Sequence, residues 1–296
     1  ASTHACGIVI TKDPVDTYVP LYVRDNLIST QYIMTTLEEL GLLKMDFLGL
    51  RTLTVIQDTI NLVKQNRGID VEYDKDMSDP KVYKLWQDGD TVGIFQFESQ
   101  GITNFMKELK PDCLEDIVAG VSLYRPGPMD QIPRYIANKK DPEHAIYTHP
   151  ALKPILKVTY GCMVYQEQVM QIVRDLAGYS LGRADLVRRA MGKKKLDVMA
   201  KEREYFIHGQ TDENGNIIIP GCVRNGIDEQ SANKIFDEMA EFAKYAFNKS
   251  HAAAYAVVSY RTAYLKAYYP AEFMAATLNS YLGNLDKAPQ YIDECK

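Results

Sequence analysis

The sequence predicts an α+β protein that is predominantly helical, with a short strand-rich segment at residues 1–50 and a large helical region at residues 51–296. Three observations predict this fold class. Short apolar runs broken by turn residues fill the opening segment, helical periodicity begins after Leu50, and that periodicity continues to the end of the chain. The opening segment starts in the middle of its pattern, which predicts a fragment of a larger polypeptide.

The opening segment predicts four strands. They are His4–Ile10, Pro20–Asp25, Ile28–Met34 and the apolar run Leu42–Leu48. The last run resembles a buried strand, and alternation of side chains places Lys44 and Asp46 on one face of it. A buried carboxylate is costly unless a cation or hydrogen bonds compensate its charge. The position of Asp46 therefore indicates either an ion pair with Lys44 or a site that binds a divalent cation beside a phosphate.

Helical spacing of apolar residues predicts a series of helices beyond residue 50. The predicted helices cover Leu53–Val63, the segment from an N-cap at Ser99 to Leu109, Asp112–Arg125, Gln166–Leu176, Ala184–Met191 and Leu196–Phe206. Near the end, Ile235, Met239, Phe242 and Ala246 form an amphipathic stripe. Ser250 is predicted to cap a long helix that Pro270 ends, and the next helix runs from Ala271 to Leu282.

Composition restricts the class of protein. The net charge of −5 argues against a protein that coats nucleic acid through its overall charge. The five cysteines are odd in number and never form a CxxC pair, so neither a disulfide framework nor a zinc site is predicted. Because no apolar run approaches the length of a membrane span and no leader pattern is present, we expect a cytoplasmic protein without membrane contact.

One strongly basic stretch lies at residues 183–203. It contains Arg188 and Arg189, followed by Gly192 and three lysines that begin at Lys193. Guanidinium groups match phosphate oxygens in pairs, which indicates a phosphate site. The alternative is a solvated helix end, where cations are favoured by the helix dipole.

Two further segments carry candidate binding residues. In the segment 245–251, the Tyr245 ring can stack on a base, and Asn248 and His251 can form hydrogen bonds with a base edge or a phosphate. The alternative is that Tyr245 continues the apolar stripe into the core. Arg125 precedes a Pro-Gly-Pro turn, where it can reach a phosphate, although ending the preceding helix explains the turn equally well.

Six blocks of the chain, taken together, resemble one known family. The blocks are KMDFLGLRTLT, GIFQFES, SLYRPGPM, YGCMVYQEQVMQI, RRAMGKKK and YAFNKSHAAAYAVVSY, in that order between His4 and about Ala276. This set is similar to the alpha subunit of bacterial DNA polymerase III, the C-family replicative DNA polymerase. The resemblance implies that residues 1–50 are the C-terminal part of the palm and that residues 51–296 belong to the fingers.

The resemblance also implies an activity and its residues. The parent would transfer dNTPs to a primer 3′-hydroxyl on a DNA template with two Mg²⁺ ions. Asp46 would be the third of three catalytic aspartates, beside Lys44, and the other two precede this chain. Arg188 and Arg189 would face the incoming triphosphate with support from Lys193, while Tyr245, Asn248 and His251 would lie at the nascent base pair. Primer-template DNA, a sliding clamp and other replicase subunits would be partners.

Two other functions remain open from the residues alone. One is a metal-dependent phosphohydrolase that uses Asp46 with Asp74 and Asp76, although both of the latter lie in a polar turn segment, as does the pair Asp88 and Asp90. The other is a nucleotide- or DNA-binding module without catalysis, whose affinity comes from the basic stretch. Turnover without primer and template would indicate the first, and binding without turnover would indicate the second.

Overall fold

The computed structural model describes residues 6–24, 26–192, 196–243, 245–284 and 286–296. The chain divides into two compact units, residues 1–51 and residues 52–296, and each is described by itself. The first unit holds strands β1 (Gly7–Ile10), β2 (Leu21–Arg24), β3 (Leu27–Thr30) and β4 (Leu43–Asp46), and helix α1 (Met34–Glu39). Strand β1 pairs antiparallel with β4, and β2 pairs antiparallel with β3.

Two predictions for this unit are wrong. The third strand ends at Thr30, and the residues predicted to continue it lead into α1 instead. The helix forms there because it buries Leu37, whose backbone N–H donates to the Ile33 carbonyl at 3.1 Å. Strand β4 is not a buried strand, since its Leu43 is 57% exposed and Met45 is 42% exposed. Within the described residues, β4 has a single neighbouring strand, which leaves much of its surface open.

The second unit is helical and confirms the predominantly helical α+β class. Its larger elements are α2 (Arg51–Arg67, which begins at the boundary), α3 (Pro80–Asp88), α4 (Gln100–Leu109), α5 (Leu114–Leu123), α6 (Ile132–Lys140), α7 (Lys153–Leu156), α8 (Gln166–Ala177), α9 (Leu181–Gly192), α10 (Leu196–His208), β5 (Gln210–Thr211), β6 (Ile217–Ile219), α11 (Glu229–Phe242), α12 (Lys249–Tyr268), α13 (Pro270–Ser280) and α14 (Ala288–Glu294).

The predicted helical periodicity reflects burial. In α4, which follows Ser99 as predicted, the predicted face of Ile102, Phe105, Met106 and Leu109 is buried. The stripe predicted before residue 246 is only partly correct, since Ile235 and Met239 are buried in α11 but that helix ends at Phe242. The N-cap of α12 is Asn248 rather than Ser250, so the predicted cap lies two residues too far along the chain.

The second unit contains two large hydrophobic clusters, and the segments that precede α8 and α12 contact each other. One cluster is built around α3 to α6 and α12, and the other around α7 to α11. Tyr165, which precedes α8, forms an isolated parallel bridge with Phe247, which precedes α12. We call residues 165–167 and 245–251 the α8–α12 junction. Because both helices start there, their N-terminal backbone N–H groups are gathered at one place.

Candidate functional site

Lys44 and Asp46 form an ion pair along strand β4. The Lys44 Nζ lies 2.6 Å from the Asp46 Oδ1, and the side chains are 14% and 42% exposed, respectively. In the strand register Asp46 stands opposite Gly7 and Lys44 opposite Val9. The two side chains therefore share a face, as predicted, and the carboxylate remains accessible to a cation from solvent.

On α9, one carboxylate holds both candidate arginines. The Asp185 Oδ1 accepts from the Arg188 Nε at 3.0 Å and from its Nη2 at 2.7 Å, while the Asp185 Oδ2 lies 2.7 Å from the Arg189 Nε. The hydrogen bonds from Arg188, and then those from Arg189, lower the pKa of Asp185 below its ordinary value. Arg188 is 24% exposed and Arg189 is 63% exposed. Arg188 is therefore a half-buried, fixed group rather than a solvated helix end.

A third contact ties Arg188 to the α8–α12 junction. Its Nη1 donates to the Gln166 Oε1 at 2.9 Å. Gln166 is the first residue of α8, and its backbone N–H donates to the Phe247 carbonyl at 2.9 Å. The guanidinium on α9 is thus connected through one side chain to the segment that precedes α12.

One side-chain amide and one carboxylate cap the start of α12. The Asn248 Oδ1 accepts from the His251 backbone N–H at 2.8 Å, which is the N-cap bond that the sequence analysis assigned to Ser250. The Glu167 carboxylate accepts from the Lys249 backbone N–H at 3.0 and 3.2 Å. Asn248 is the N-cap instead of Ser250 because its side chain accepts from the backbone N–H of the third helical residue, which is the usual N-cap geometry.

Arg125 packs on the same segment from the end of α5. Its Nη2 donates to the Tyr245 carbonyl at 3.0 Å, its Nε donates to the Ser122 carbonyl at 2.9 Å, and its guanidinium carbon lies 4.0 Å from the centre of the Phe247 ring. Burial lowers the pKa of Arg125 below its ordinary value. Arg125 therefore fixes the backbone of the junction and stacks on one of its rings.

Tyr245 is a surface residue whose ring packs against Gly127. Its side chain is 46% exposed, which argues against the alternative that it belongs to the core. Gly127 lies beneath the ring with φ +103°, and a Cβ at that position would overlap the ring of Tyr245. The turn before the short 3₁₀ helix Pro128–Gln131 therefore needs glycine both for its backbone angle and for the close approach of the ring.

His251 belongs to a row of aromatic rings. The ring centre of His251 lies 4.2 Å from that of Tyr255 and 5.4 Å from that of Phe247, and Phe95 lies 5.1 Å from Tyr255. His251 itself is exposed. The row gives the first turns of α12 a partly exposed aromatic surface beside the junction.

The structure brings several predicted site residues together and leaves others apart. Those gathered at the junction by the contacts above are Arg125, Arg188, Tyr245, Asn248 and His251. Arg189 joins them through Asp185. Lys193 lies outside the described residues, and Lys44 and Asp46 belong to the other unit.

Sequence reasoning missed three participants. Asp185 and Glu167 are not among the candidate residues predicted from the sequence, although both make contacts at the site. Gln166 was not singled out, although it lies in one of the six blocks, YQEQVM. The spacing of Asp185 three and four residues before the arginines was the available signal, because such pairs meet on one helix face.

Within the described residues, one group of three potential metal ligands is present. It consists of Asp112, Cys113 and Asp116. Lys139 occupies this group, since its Nζ lies 3.0 Å from the Asp112 Oδ1 and in close contact with the Asp116 carboxylate. The group is therefore an ion cluster in which one ammonium group is shared by two carboxyl groups. Asp46 is not part of such a group, so in this part of the chain it contributes a single carboxylate.

One member of each Asp-x-Asp pair, Asp74 and Asp90, has structural contacts. The Asp74 Oδ1 accepts from the Tyr260 hydroxyl at 2.8 Å, and the Asp74 Oδ2 accepts from the Ser78 backbone N–H at 2.7 Å. Asp90 forms an ion pair with the buried Lys266. These contacts hold the segments around α3 in place and do not support a role for the Asp-x-Asp pairs in catalysis.

Comparison with known proteins assigns the family. The model of the bacterial DNA polymerase III alpha subunit finger domain matches residues 52–214, and that of the bacterial DNA polymerase III alpha NTPase domain matches residues 1–49. Relatives named DNA polymerase III subunit alpha are 49% identical in Thermus aquaticus, 47% in Borreliella burgdorferi and 45% in Staphylococcus aureus strain COL.

All three alignments cover the whole chain. The chain in turn spans 24%, 25% and 27% of these relatives, or about a quarter of their length. In the part of the chain that the structure describes, no helix combines the length and apolar character needed to cross a membrane. The six motif blocks, the helical architecture and these alignments agree, and the chain belongs to the bacterial DNA polymerase III alpha subunit family.

Proposed function

We propose that the chain is part of a replicative DNA polymerase and takes part in template-directed transfer of dNTPs to a primer 3′-hydroxyl. Residues 1–50 are the end of the palm, and residues 51–296 are fingers. Family membership along the whole chain supports this assignment. The cytoplasmic partners of the full polymerase are primer-template DNA, dNTPs, the sliding clamp and other replicase subunits.

The α8–α12 junction is the observation that carries the proposal. A nucleotide presents a triphosphate at one end and a flat base at the other. The junction and the adjoining face of α9 offer matching chemistry. Arg188 and Arg189 on α9 suit the phosphates, and the exposed rings of Tyr245 and His251 in the junction suit the base pair. Guanidinium groups bind phosphates in pairs of hydrogen bonds, and rings stack on any base.

Within that site the remaining predicted residues have supporting roles. Arg125 fixes the Tyr245 carbonyl and Asn248 fixes the start of α12, so both set the position of the exposed rings. Lys193 adds positive charge after α9 in this proposal. The function of the site thus depends on a rigid junction rather than on the arginines alone.

Asp46 fits the requirement of a Mg²⁺ ligand. Carboxylate oxygens are the ligands that Mg²⁺ prefers, and this carboxylate is 42% exposed. When bound, two Mg²⁺ ions lower the pKa of the primer hydroxyl and stabilise charge on the leaving pyrophosphate. Asp46 supplies one ligand, and Lys44 limits the negative charge of the site and lies ready to contact a phosphate.

The first experiment tests the nucleotide site with Arg188→Ala in the full-length polymerase. A charged hydrogen bond is worth about 1.5–3 kcal/mol, so kcat/KM for the dNTP should fall about 10- to 150-fold. Affinity for primer-template, measured by fluorescence anisotropy, should change by less than about twofold. Arg203→Ala is the matched control, because Arg203 pairs with Asp237 on α11 rather than with Asp185. Equal kinetics of the two variants would contradict the nucleotide site.

The second experiment tests catalysis with Asp46→Asn in the same polymerase. The amide keeps the shape of the side chain but removes its charge, so turnover should fall at least about a hundredfold while circular dichroism is unchanged. Asp13→Asn is the control, since Asp13 is an exposed carboxylate of the same unit, hydrogen-bonded to Tyr18. Near-normal primer extension by a folded Asp46→Asn enzyme would rule out the metal role.

A second candidate function concerns the 296 residues on their own. In the described residues Asp46 is not joined by two other metal ligands, which favours binding without turnover in the isolated chain. We expect the purified chain to bind a dNTP in equilibrium dialysis and not to extend a primer. Template-dependent incorporation by the chain alone would show that it contains a complete metal site.

A further inference from the structure

Asp185 is shared between two guanidinium groups on one face of α9. Both of its oxygens are used, one by Arg188 and the other by Arg189, at positions three and four residues further along the helix. The Asp185 side chain is 27% exposed, so a ligand can approach this ion group from solvent. Arg188 keeps a separate contact with Gln166, which does not involve Asp185.

This arrangement has two opposing physical effects. The carboxylate offsets repulsion between adjacent arginines and holds both guanidinium groups in fixed orientations, which favours reaction once a substrate is bound. The same carboxylate cancels one positive charge and occupies N–H donors that a triphosphate would use. An incoming anion must therefore compete with Asp185 for the arginines.

We propose that Asp185 is a positioning residue for the incoming nucleotide, an internal anion that orients Arg188 and Arg189 and yields N–H donors to the triphosphate. The inference rests on the proposed function and adds a role for a residue that acts through the two arginines it contacts. Gln166 retains Arg188 during the exchange, because its amide oxygen accepts from a different nitrogen of the guanidinium.

Loss of the charge at this position should act in opposite directions on binding and on turnover. An asparagine leaves the arginines with one more net positive charge, so anions bind more tightly. An amide has a single acceptor oxygen and cannot accept from both arginines in the way that the two carboxylate oxygens do. Turnover should therefore fall while affinity for a bare triphosphate rises.

The experiment measures primer extension by the full-length polymerase with Asp185→Asn, with inorganic triphosphate as the competing anion. The inhibition constant of inorganic triphosphate should decrease about two- to fivefold, the scale of partly exposed ion pairs, and kcat should decrease about tenfold. The control is Asp237→Asn, which removes the carboxylate paired with Arg203 on α11. We expect no change of either quantity in that control.

A second variant keeps the test independent of folding. Asp185→Glu retains the charge and moves it by one methylene, so the inhibition constant should stay at the value of the unmodified enzyme while kcat falls. The inference is overturned if triphosphate binds equally or more weakly to Asp185→Asn, or if kcat is unchanged in both variants. If the unmodified polymerase fails to extend a primer, the proposed function fails together with this inference. If it extends primers normally and Asp185→Asn behaves like Asp237→Asn, only the inference fails.

Discussion

At the scale of single residues, the exposed ring of Tyr245 allows an effect on stability to be distinguished from an effect on nucleotide incorporation. Tyr245→Ala should change the free energy of unfolding by less than about 1 kcal/mol, whereas Tyr260→Ala, at a fully buried ring, should cost about 3–5 kcal/mol. Nucleotide incorporation by Tyr245→Ala should fall, because stacking on a base is worth about 1–3 kcal/mol. Thermal unfolding and single-turnover incorporation measure the two effects. A large loss of stability with normal incorporation would assign Tyr245 to packing.

Residue types were enough to select the candidate residues, whereas the surroundings of those residues were harder to predict. Arg188 and Tyr245 were identified from chemistry and from family motifs, and the structure places both at one junction. The burial of Asp46 was predicted wrongly, because an apolar run does not show how many strands will cover it. Partners such as Gln166, 22 positions from Arg188, depend on how α8 and α9 pack and have no local signal.

At the scale of elements, the start of α12 provides a direct comparison of two cap residues. Asn248→Ala should lower the free energy of unfolding by about 0.5–2 kcal/mol, because it removes the acceptor of the His251 N–H. Ser250→Ala lies inside the helix and should change it by less than about 0.5 kcal/mol. Urea unfolding of both variants checks the prediction. A larger loss of unfolding free energy in Ser250→Ala than in Asn248→Ala would indicate that Ser250 is the N-cap, as predicted from the sequence.

Long periodic helices were predicted, and short ones bracketed by turn residues were not. Helix α3 has Asp79 as its N-cap, Pro80 at its first position and Gly89 after its end. In the sequence these residues indicate turns, and nine helical residues between them are too few for a clear period. Its fully buried Trp86 shows that tertiary packing adds to these local end signals in maintaining the helix.

At the scale of the whole molecule, an ion pair between Arg67 of α2 and Glu272 of α13 makes stability depend on pH. Arg67 donates to both carboxylate oxygens at 2.8 and 2.7 Å, and these hydrogen bonds lower the pKa of Glu272 below its ordinary 4.5. A lowered pKa in the folded state stabilises the protein above pH 4.5 and loses that effect as pH falls through the folded-state value.

We therefore expect Glu272→Gln to have a lower free energy of unfolding than the unmodified protein at neutral pH. On acidification, the free energy of unfolding of Glu272→Gln should decrease less than that of the unmodified protein. Urea unfolding at about pH 7 and about pH 3 measures the difference. Glu108→Gln, at an exposed position of α4, is the control. Parallel pH curves for the unmodified protein and Glu272→Gln would show that the pair does not contribute.

The sequence predicted the fold class because the two kinds of periodicity occupy separate parts of the chain. It did not predict that the second unit would contain more than one hydrophobic cluster, since residues of each cluster come from distant segments. Tyr165 shows the difficulty. It belongs to the cluster of α12, although the helix that follows it immediately belongs to the other cluster.

The bridge between Tyr165 and Phe247 also constrains the order of folding. The two residues are separated by 247 − 165 = 82 positions, and closing a loop of that length costs about 4 kcal/mol of chain entropy before any contact compensates it. Helices α8 to α11 can collapse through contacts of short sequence separation, which form faster. The α8–α12 junction is consequently completed late, once the intervening helices have shortened the effective loop, and a nascent chain interrupted before Phe247 has a nearly complete α7–α11 cluster but no junction.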